Sequence, residues 1–144
     1  MILYFDTSAL VKLFSIEKGS DEVKALISDK ANQVWALELV LIELICAVYR
    51  KFRNHELPEE ILYPVQEKIK KQIELFNIIP LDSDTIQESQ SLIERFGKDY
   101  GQRTLDALHI AGFIMMAETT WRFVSSDINQ VQAVKQLNFP TILI

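Results

Sequence analysis

Two aspartates each stand after a short apolar run. Asp6 directly follows Ile2–Phe5, and Asp127 follows Trp121–Val124 after two serines. Runs of this kind, rich in β-branched and aromatic residues, predict buried strands. Ligands of open α/β sheets bind at the C-terminal ends of strands, which makes both carboxylates candidates for a functional site. Asp6 alone has an equally simple interpretation, in which it or the following hydroxyls cap a helix.

Two further acids lie inside segments that are otherwise apolar. Glu43 falls in Leu37–Phe52, which is predicted to be a long and largely buried helix, and Asp106 falls in the first turn of a helix capped by Thr104. Because burying a carboxylate costs several kcal/mol, such an acid needs a salt bridge, a cleft or a metal ion. His109, one turn after Asp106, is interpreted as a hydrogen-bonded core residue and left out of the predicted site.

Four carboxylates that meet in one cleft would raise one another's pKa unless cations are bound. Oxygen-only ligand sets suit Mg²⁺ or Mn²⁺. Such ions activate water and stabilise in-line attack on phosphorus. The sequence has no Cys/His spacing typical of zinc, no phosphate-binding G-x-x-x-x-G-K-[ST] loop and no G-x-S-x-G motif. The acids therefore indicate metal-dependent chemistry at phosphorus.

The elements that must position these acids alternate between strand and helix. This alternation predicts a single α/β domain over residues 1–144, with a mostly parallel sheet flanked by helices on both faces. Asp82 to Asp84 are predicted to cap a helix that ends at Phe96–Gly97. The predicted strands are residues 2–5, 33–36, 76–81, 121–124 and 141–144.

Composition is that of an ordinary globular domain, with 49% hydrophobic and 24% charged residues among 144. No apolar run approaches the ~18 residues of a membrane span. We expect no signal peptide, because Met1 leads directly into the first predicted strand without a basic region, and a single cysteine, Cys46, excludes an internal disulfide. We therefore expect a cytoplasmic protein with no membrane association, in which Cys46 is a packed thiol.

The net charge of −5 argues against a protein that coats nucleic acid through broad electrostatic attraction. It does not exclude an enzyme that meets nucleic acid at one metal-loaded site, because bound cations reverse the local sign of charge.

The order of the motifs resembles that of PIN-domain ribonucleases, and most closely the VapC-type toxins of prokaryotic type II (VapBC-type) toxin–antitoxin systems. The resemblance spans essentially the whole chain. Ser125 stands where the family often has threonine, and the match after Asp127 is looser. The resemblance is carried by Asp6–Leu10 after a strand, Glu43 in a helix, Arg103–Ala111, and Ser125–Asp127.

The resemblance implies a five-stranded PIN-like fold and a Mg²⁺-dependent endoribonuclease, with Mn²⁺ as the alternative ion. Its substrate would be RNA, cleaved by metal-activated water, and its partners a cognate antitoxin and a second copy in a homodimer. Ser8 and Ser125 would support the site through hydrogen bonds. Arg103 and Lys12, near the acids in sequence, are candidate RNA contacts as well as candidate surface ion pairs. The implied catalytic and metal-binding acids are Asp6, Glu43, Asp106 and Asp127.

Several other functions remain open at this point. A PIN-type module without catalytic activity that binds RNA or protein, or an RNA-processing nuclease that is not a toxin, would share these motifs. A haloacid-dehalogenase-type phosphatase would need a second acid where Ser8 stands. A receiver domain would need adjacent acids near the N-terminus, whereas Asp6 stands alone.

Overall fold

A five-stranded sheet in the order β3-β2-β1-β4-β5 forms the centre of the structure, a computed structural model that describes residues 1–144. All four neighbouring pairs are parallel, which confirms the predicted α/β fold and sheet. No helix is both long and apolar enough to cross a membrane. The strands are β1 (Ile2–Phe5), β2 (Gln33–Leu37), β3 (Asn77–Ile79), β4 (Arg122–Ser125) and β5 (Thr141–Leu143).

Seven α-helices connect and cover the strands, and two short 3-10 turns (Val11–Phe14 and Glu59–Ile61) precede or extend them. Parallel strands need such crossovers, because a hairpin turn can join only antiparallel neighbours. The helices are α1 (Thr7–Leu10), α2 (Ser20–Ser28), α3 (Val40–Arg53), α4 (Leu62–Ile73), α5 (Ser83–Tyr100), α6 (Thr104–Met116) and α7 (Ile128–Gln136).

The central strand β1 contributes to both layers of the core. Leu3 and Phe5 pack into a cluster with residues of α1, α2, α3 and α4 on one face of the sheet. Tyr4 packs into a cluster with α5, α6 and α7 on the other face. Successive side chains of a strand point to opposite faces, so a strand covered on both sides is apolar at every position. The helices therefore lie on both faces, as predicted.

Two helical features differ from the sequence prediction. Helix α5 continues past Gly97 to Tyr100, and Gly101, with φ of 60°, takes the left-handed position after its end. Gly97 is therefore a residue of the helix rather than its stop. Helix α3 is not buried on all sides, because Ile42 and Tyr49 are exposed.

The strand order creates a switch point beside β1. From β1 the chain proceeds outward through β2 and β3, then returns to place β4 on the other side of β1. In open α/β sheets, ligands bind outside the carboxyl ends of the strands at such a point. Asp6 directly follows β1 and Asp127 follows β4 by two residues, so both lie at this edge.

Candidate active site

A cavity of about 660 Å³ opens at the switch point. All four acids proposed from the sequence line it, although they come from four different parts of the fold. Asp6 and Asp127 follow neighbouring strands, Glu43 lies in the first turn of α3, and Asp106 lies in the first turn of α6. The structure thus brings together residues that are up to 121 positions apart.

Asp6 is the most buried of the four acids, with 1% of its surface exposed. The Ser8 hydroxyl lies 2.8 Å from both carboxylate oxygens, and Ser125 Oγ donates to Oδ2 at 2.8 Å. The Ala9 backbone N–H donates to Oδ1 at 3.0 Å, so Asp6 also caps α1. Burial raises the pKa of Asp6 despite these donors and the nearby His109 ring.

Glu43 is held by two side chains from other elements. His109 Nε2 lies 2.6 Å from Glu43 Oε2, and the Thr7 hydroxyl donates to the same oxygen. Burial alone would raise the pKa of Glu43, but the hydrogen bond and electrostatic attraction of His109, with the Thr7 bond, leave that pKa below its ordinary value. The carboxylate is therefore stabilised in its ionised form.

Asp106 and Asp127 both hold the starts of helices. Asp106 Oδ2 accepts from the Arg103 backbone N–H at 3.3 Å and from its guanidinium Nε at 3.1 Å. Gln130, 3% exposed, donates from Nε2 to Asp106 Oδ1 at 3.2 Å. Asp127 Oδ1 accepts from the Asn129 backbone N–H at 2.8 Å and caps α7. Arg103, rather than the predicted Thr104, occupies the N-cap position of α6.

The donor set fits a hard divalent cation in its chemistry. Four carboxylates line one cavity, and Arg103 is the only lysine or arginine that forms an ion pair with any of them. No three acidic, histidine or cysteine side chains form a group that could hold a metal ion. Mg²⁺ does not require such a group, because it keeps several water ligands and is commonly bound through one or two carboxylates.

The two predicted RNA contacts have different surroundings. Arg103 lines the cavity with a side chain that is 79% exposed. Lys12 does not line it, because its ammonium donates to the Lys18 carbonyl at 2.7 Å and lies 3.5 Å from Glu17. Lys12 therefore ties the turn before α2 to the preceding segment.

Four residues around the cavity were missed or misread from the sequence. His109, Gln130 and Arg50 line the cavity but were not included in the predicted site. Cys46 is exposed on the cavity wall, so the expectation of a packed thiol is wrong. The spacing of Glu43, Cys46 and Arg50 at three and seven residues places them on one helix face, which was a usable signal. The sequence contains less indication that His109 belongs to the site, because its partner Glu43 is 66 residues away.

The chain was compared with known proteins by sequence. A family model described as PIN domain matches residues 3–132, which is most of the chain. No protein with a curated description matches the sequence.

Solved structures share the fold at low sequence identity. The VapBC2 complex of Rickettsia felis, bound to a promoter DNA fragment, has a TM-score of 0.68 and 15% identity, covering 100% of this chain and 99% of that chain. VapC20 of Mycobacterium tuberculosis, a toxin that cleaves the sarcin-ricin loop, has a TM-score of 0.70 and 14% identity, covering 91% and 94%. FitAcB of Neisseria gonorrhoeae has a TM-score of 0.68 and 16% identity, covering 99% and 96%.

Proposed function

The chain belongs to the PIN-domain family, and on this premise we propose that it is a divalent-metal-dependent endoribonuclease. One observation carries the proposal: four carboxylates from separate elements line a single cavity at the switch point of the sheet. Burying several acids around one space is unfavourable unless a cation occupies it. VapC20, which shares the fold, is a toxin that cleaves the sarcin-ricin loop, and it supports this choice of substrate.

In this proposal Asp6, Glu43 and Asp106 hold Mg²⁺, or Mn²⁺ in its place, partly through water ligands that the ion would keep, and Asp127 assists from beyond the end of β4. The ion would supply a nucleophilic water and stabilise charge at phosphorus. The protein's own contribution is to fix the ligands. Ser8 of α1 and Ser125 at the end of β4 orient Asp6, and Gln130 holds one oxygen of Asp106.

Substrate binding is proposed to rest on two arginines. Arg103 and Arg50 both line the cavity, and Arg50 forms no ion pair in the protein. A guanidinium binds phosphate through paired hydrogen bonds, so either arginine suits the backbone of a single-stranded RNA segment. We leave Lys12 out of this set, because its ammonium is already bonded to Lys18 and Glu17.

We further propose that the protein is the toxin of a toxin–antitoxin pair, forms a homodimer and acts in the cytoplasm. Support comes from the neighbours that are toxin–antitoxin complexes, including one from Klebsiella pneumoniae at 19% identity and a TM-score of 0.60. Expression of the protein alone should then arrest growth, and co-expression of a short neighbouring gene should relieve the arrest. Cleavage in vitro without growth arrest would instead indicate an RNA-processing nuclease.

The nuclease proposal is tested with purified protein and a structured RNA that carries single-stranded loops. With Mg²⁺ we expect cleavage, with EDTA none, and for Asp6→Asn and Asp106→Asn a loss of at least about 100-fold, because each removes a charged ligand. Asp84→Asn, an exposed acid of α5 outside the cavity, is the matched control and should retain full activity.

Equal cleavage by Asp6→Asn and the unaltered protein would refute the assignment of the acids. RNA binding without cleavage in either metal would favour the alternative of a PIN-type binding module.

A further inference from the structure

His109 makes a contact that its burial alone does not explain. It lies on α6 one turn after Asp106, is 2% exposed and borders the cavity. Its Nε2 lies 2.6 Å from Glu43 Oε2 and 3.2 Å from the Thr7 hydroxyl. Its other ring nitrogen, Nδ1, is buried without a hydrogen-bond partner. A buried nitrogen without a hydrogen bond costs free energy of folding, so a histidine is a poor choice for a position that serves only to fill the core.

The hydrogen bonds around Glu43 converge on one of its two oxygens. A carboxylate only accepts, so Nε2 of His109 carries the hydrogen that points to Oε2. The Thr7 hydroxyl donates to the same Oε2. Glu43 Oε1 receives no hydrogen bond from the protein. Two donors from different elements therefore fix the rotation of the carboxylate and leave one oxygen available.

We propose that His109, together with Thr7, is a positioning residue that orients Glu43 so that Oε1 is presented to the metal ion. This inference rests on the proposed function, and His109 itself touches neither metal nor RNA in it. Hydrogen bonds from outside the ligand set fix the orientation of metal ligands, and their loss typically costs 10–100-fold in metal affinity or activity.

The test compares two substitutions of His109 that match in length. Gln carries an N–H that reaches the place of Nε2, whereas Met has no donor. We expect His109→Met to weaken Mn²⁺ binding by at least about 10-fold, measured by calorimetry and by the signal of free Mn²⁺ in electron paramagnetic resonance. His109→Gln should stay within about threefold of the unaltered protein, since it retains the hydrogen bond.

A second pair of variants, at Thr7, keeps the test valid even if a His109 variant does not fold. Thr7→Val removes the hydroxyl at nearly constant shape and should weaken Mn²⁺ binding, whereas Thr7→Ser should not. Circular dichroism checks that all four variants melt within about 5 °C of the unaltered protein. In cleavage assays the loss in His109→Met should appear in kcat rather than in the KM for RNA, because no RNA contact is removed.

Three outcomes would overturn the inference: unchanged Mn²⁺ affinity in His109→Met, equal weakening in His109→Gln and His109→Met, or a Thr7→Val that binds Mn²⁺ like Thr7→Ser.

Glu43→Gln separates these failures from failure of the proposed function. If Glu43→Gln loses affinity while His109→Met does not, only the positioning role is wrong. If Glu43→Gln binds Mn²⁺ normally, Glu43 is not a ligand and the proposed site itself is wrong.

Discussion

Asp6 and Glu43 face the same cavity but have pKa values displaced in opposite directions. Burial dominates at Asp6 and raises its pKa. At Glu43, burial is outweighed by His109 and Thr7, and the pKa is lowered. Since one pKa unit corresponds to about 1.4 kcal/mol, ionised Asp6 costs folding free energy, whereas ionised Glu43 contributes to it.

These displacements predict opposite effects of pH on two amide variants, measured as Tm in EDTA. Native Asp6 keeps its proton above the ordinary pKa of 3.8, so the protein loses stability as pH rises through that window. Asp6→Asn should therefore gain Tm relative to the unaltered protein, and this gain should grow as the pH rises above 3.8. Native Glu43 stays ionised below 4.5, so its contribution is lost only as pH falls. Glu43→Gln should be less stable by roughly 1–2 kcal/mol at pH 7, and the deficit should shrink in acid.

A Glu43→Gln deficit that is unchanged at pH 3.5, or a lower Tm for Asp6→Asn at pH 7, would contradict these assignments. Asp84→Asn, which lies outside the cavity, serves as the reference for the general effect of removing an acid.

At the scale of elements, helix α6 carries four of the residues that line the cavity and must approach the sheet closely. Gly112 lies on this helix, and a Cβ placed there would come within 2.8 Å of Leu37 Cδ1 and 3.2 Å of the Tyr4 hydroxyl. Both neighbours are fully buried and have little room to move. The small residue therefore sets the distance between α6 and strands β1 and β2.

We expect Gly112→Ala to lower the free energy of unfolding by about 1–3 kcal/mol through overpacking, although alanine is the better helix former. Gly97→Ala is the matched control within α5, where the added Cβ meets only Ile93 at an ordinary 3.5 Å. That control should gain about 0.5–1 kcal/mol. Urea denaturation of both variants measures the difference, and an equal gain in both would show that α6 is not closely packed.

Strands were the elements that the sequence predicted best, because apolar runs between turn residues leave few alternatives. β1 was predicted at its observed bounds, Ile2–Phe5, and the other four strands within a few residues. Helix ends were predicted less well. Gly97 and Gly101 are four residues apart in a polar stretch, and only the backbone angle at Gly101 identifies the stop.

The candidate site was predictable where a residue's own surroundings were unusual. An acid in an apolar segment, such as Glu43 or Asp106, is visible in one sequence. The partners His109 and Gln130 were not, since each is an ordinary buried residue until the fold places it beside a distant acid. The exposure of Cys46 could not be predicted from the sequence either. The apolar face of α3 is wider than the surface that the sheet covers, and Cys46 lies on the uncovered part.

At the scale of the whole molecule, the net charge of −5 means that RNA must be attracted at a restricted surface. Arg50 lies two helical turns, or about 10 Å, beyond Glu43 on the cavity face of α3. A strand that places one phosphate at the acids can therefore place a neighbouring phosphate near Arg50.

We expect Arg50→Ala to raise the KM for RNA about threefold to tenfold with little change in kcat. Its plot of log KM against log salt should lose a slope of about 0.7, the value for one phosphate of a single strand. Arg53→Ala is the matched control, because Arg53 is exposed on the same helix and also unpaired but lies outside the cavity. Equal effects of the two substitutions would indicate a general loss of positive charge rather than a phosphate contact at Arg50.

The capping bonds of the acids have a consequence for how this fold would diverge. Asp6 and Asp127 each cap a helix, and Asp106 bonds back to the backbone at the start of α6, so three of the four acids also hold local structure. Glu43 caps none. A descendant that abandoned its chemistry would still be under selection to keep the three aspartates, or to exchange them for serine, threonine or asparagine. Glu43 is bonded only to the side chains of His109 and Thr7, so in such a descendant we expect Glu43 to change together with His109 rather than with the aspartates.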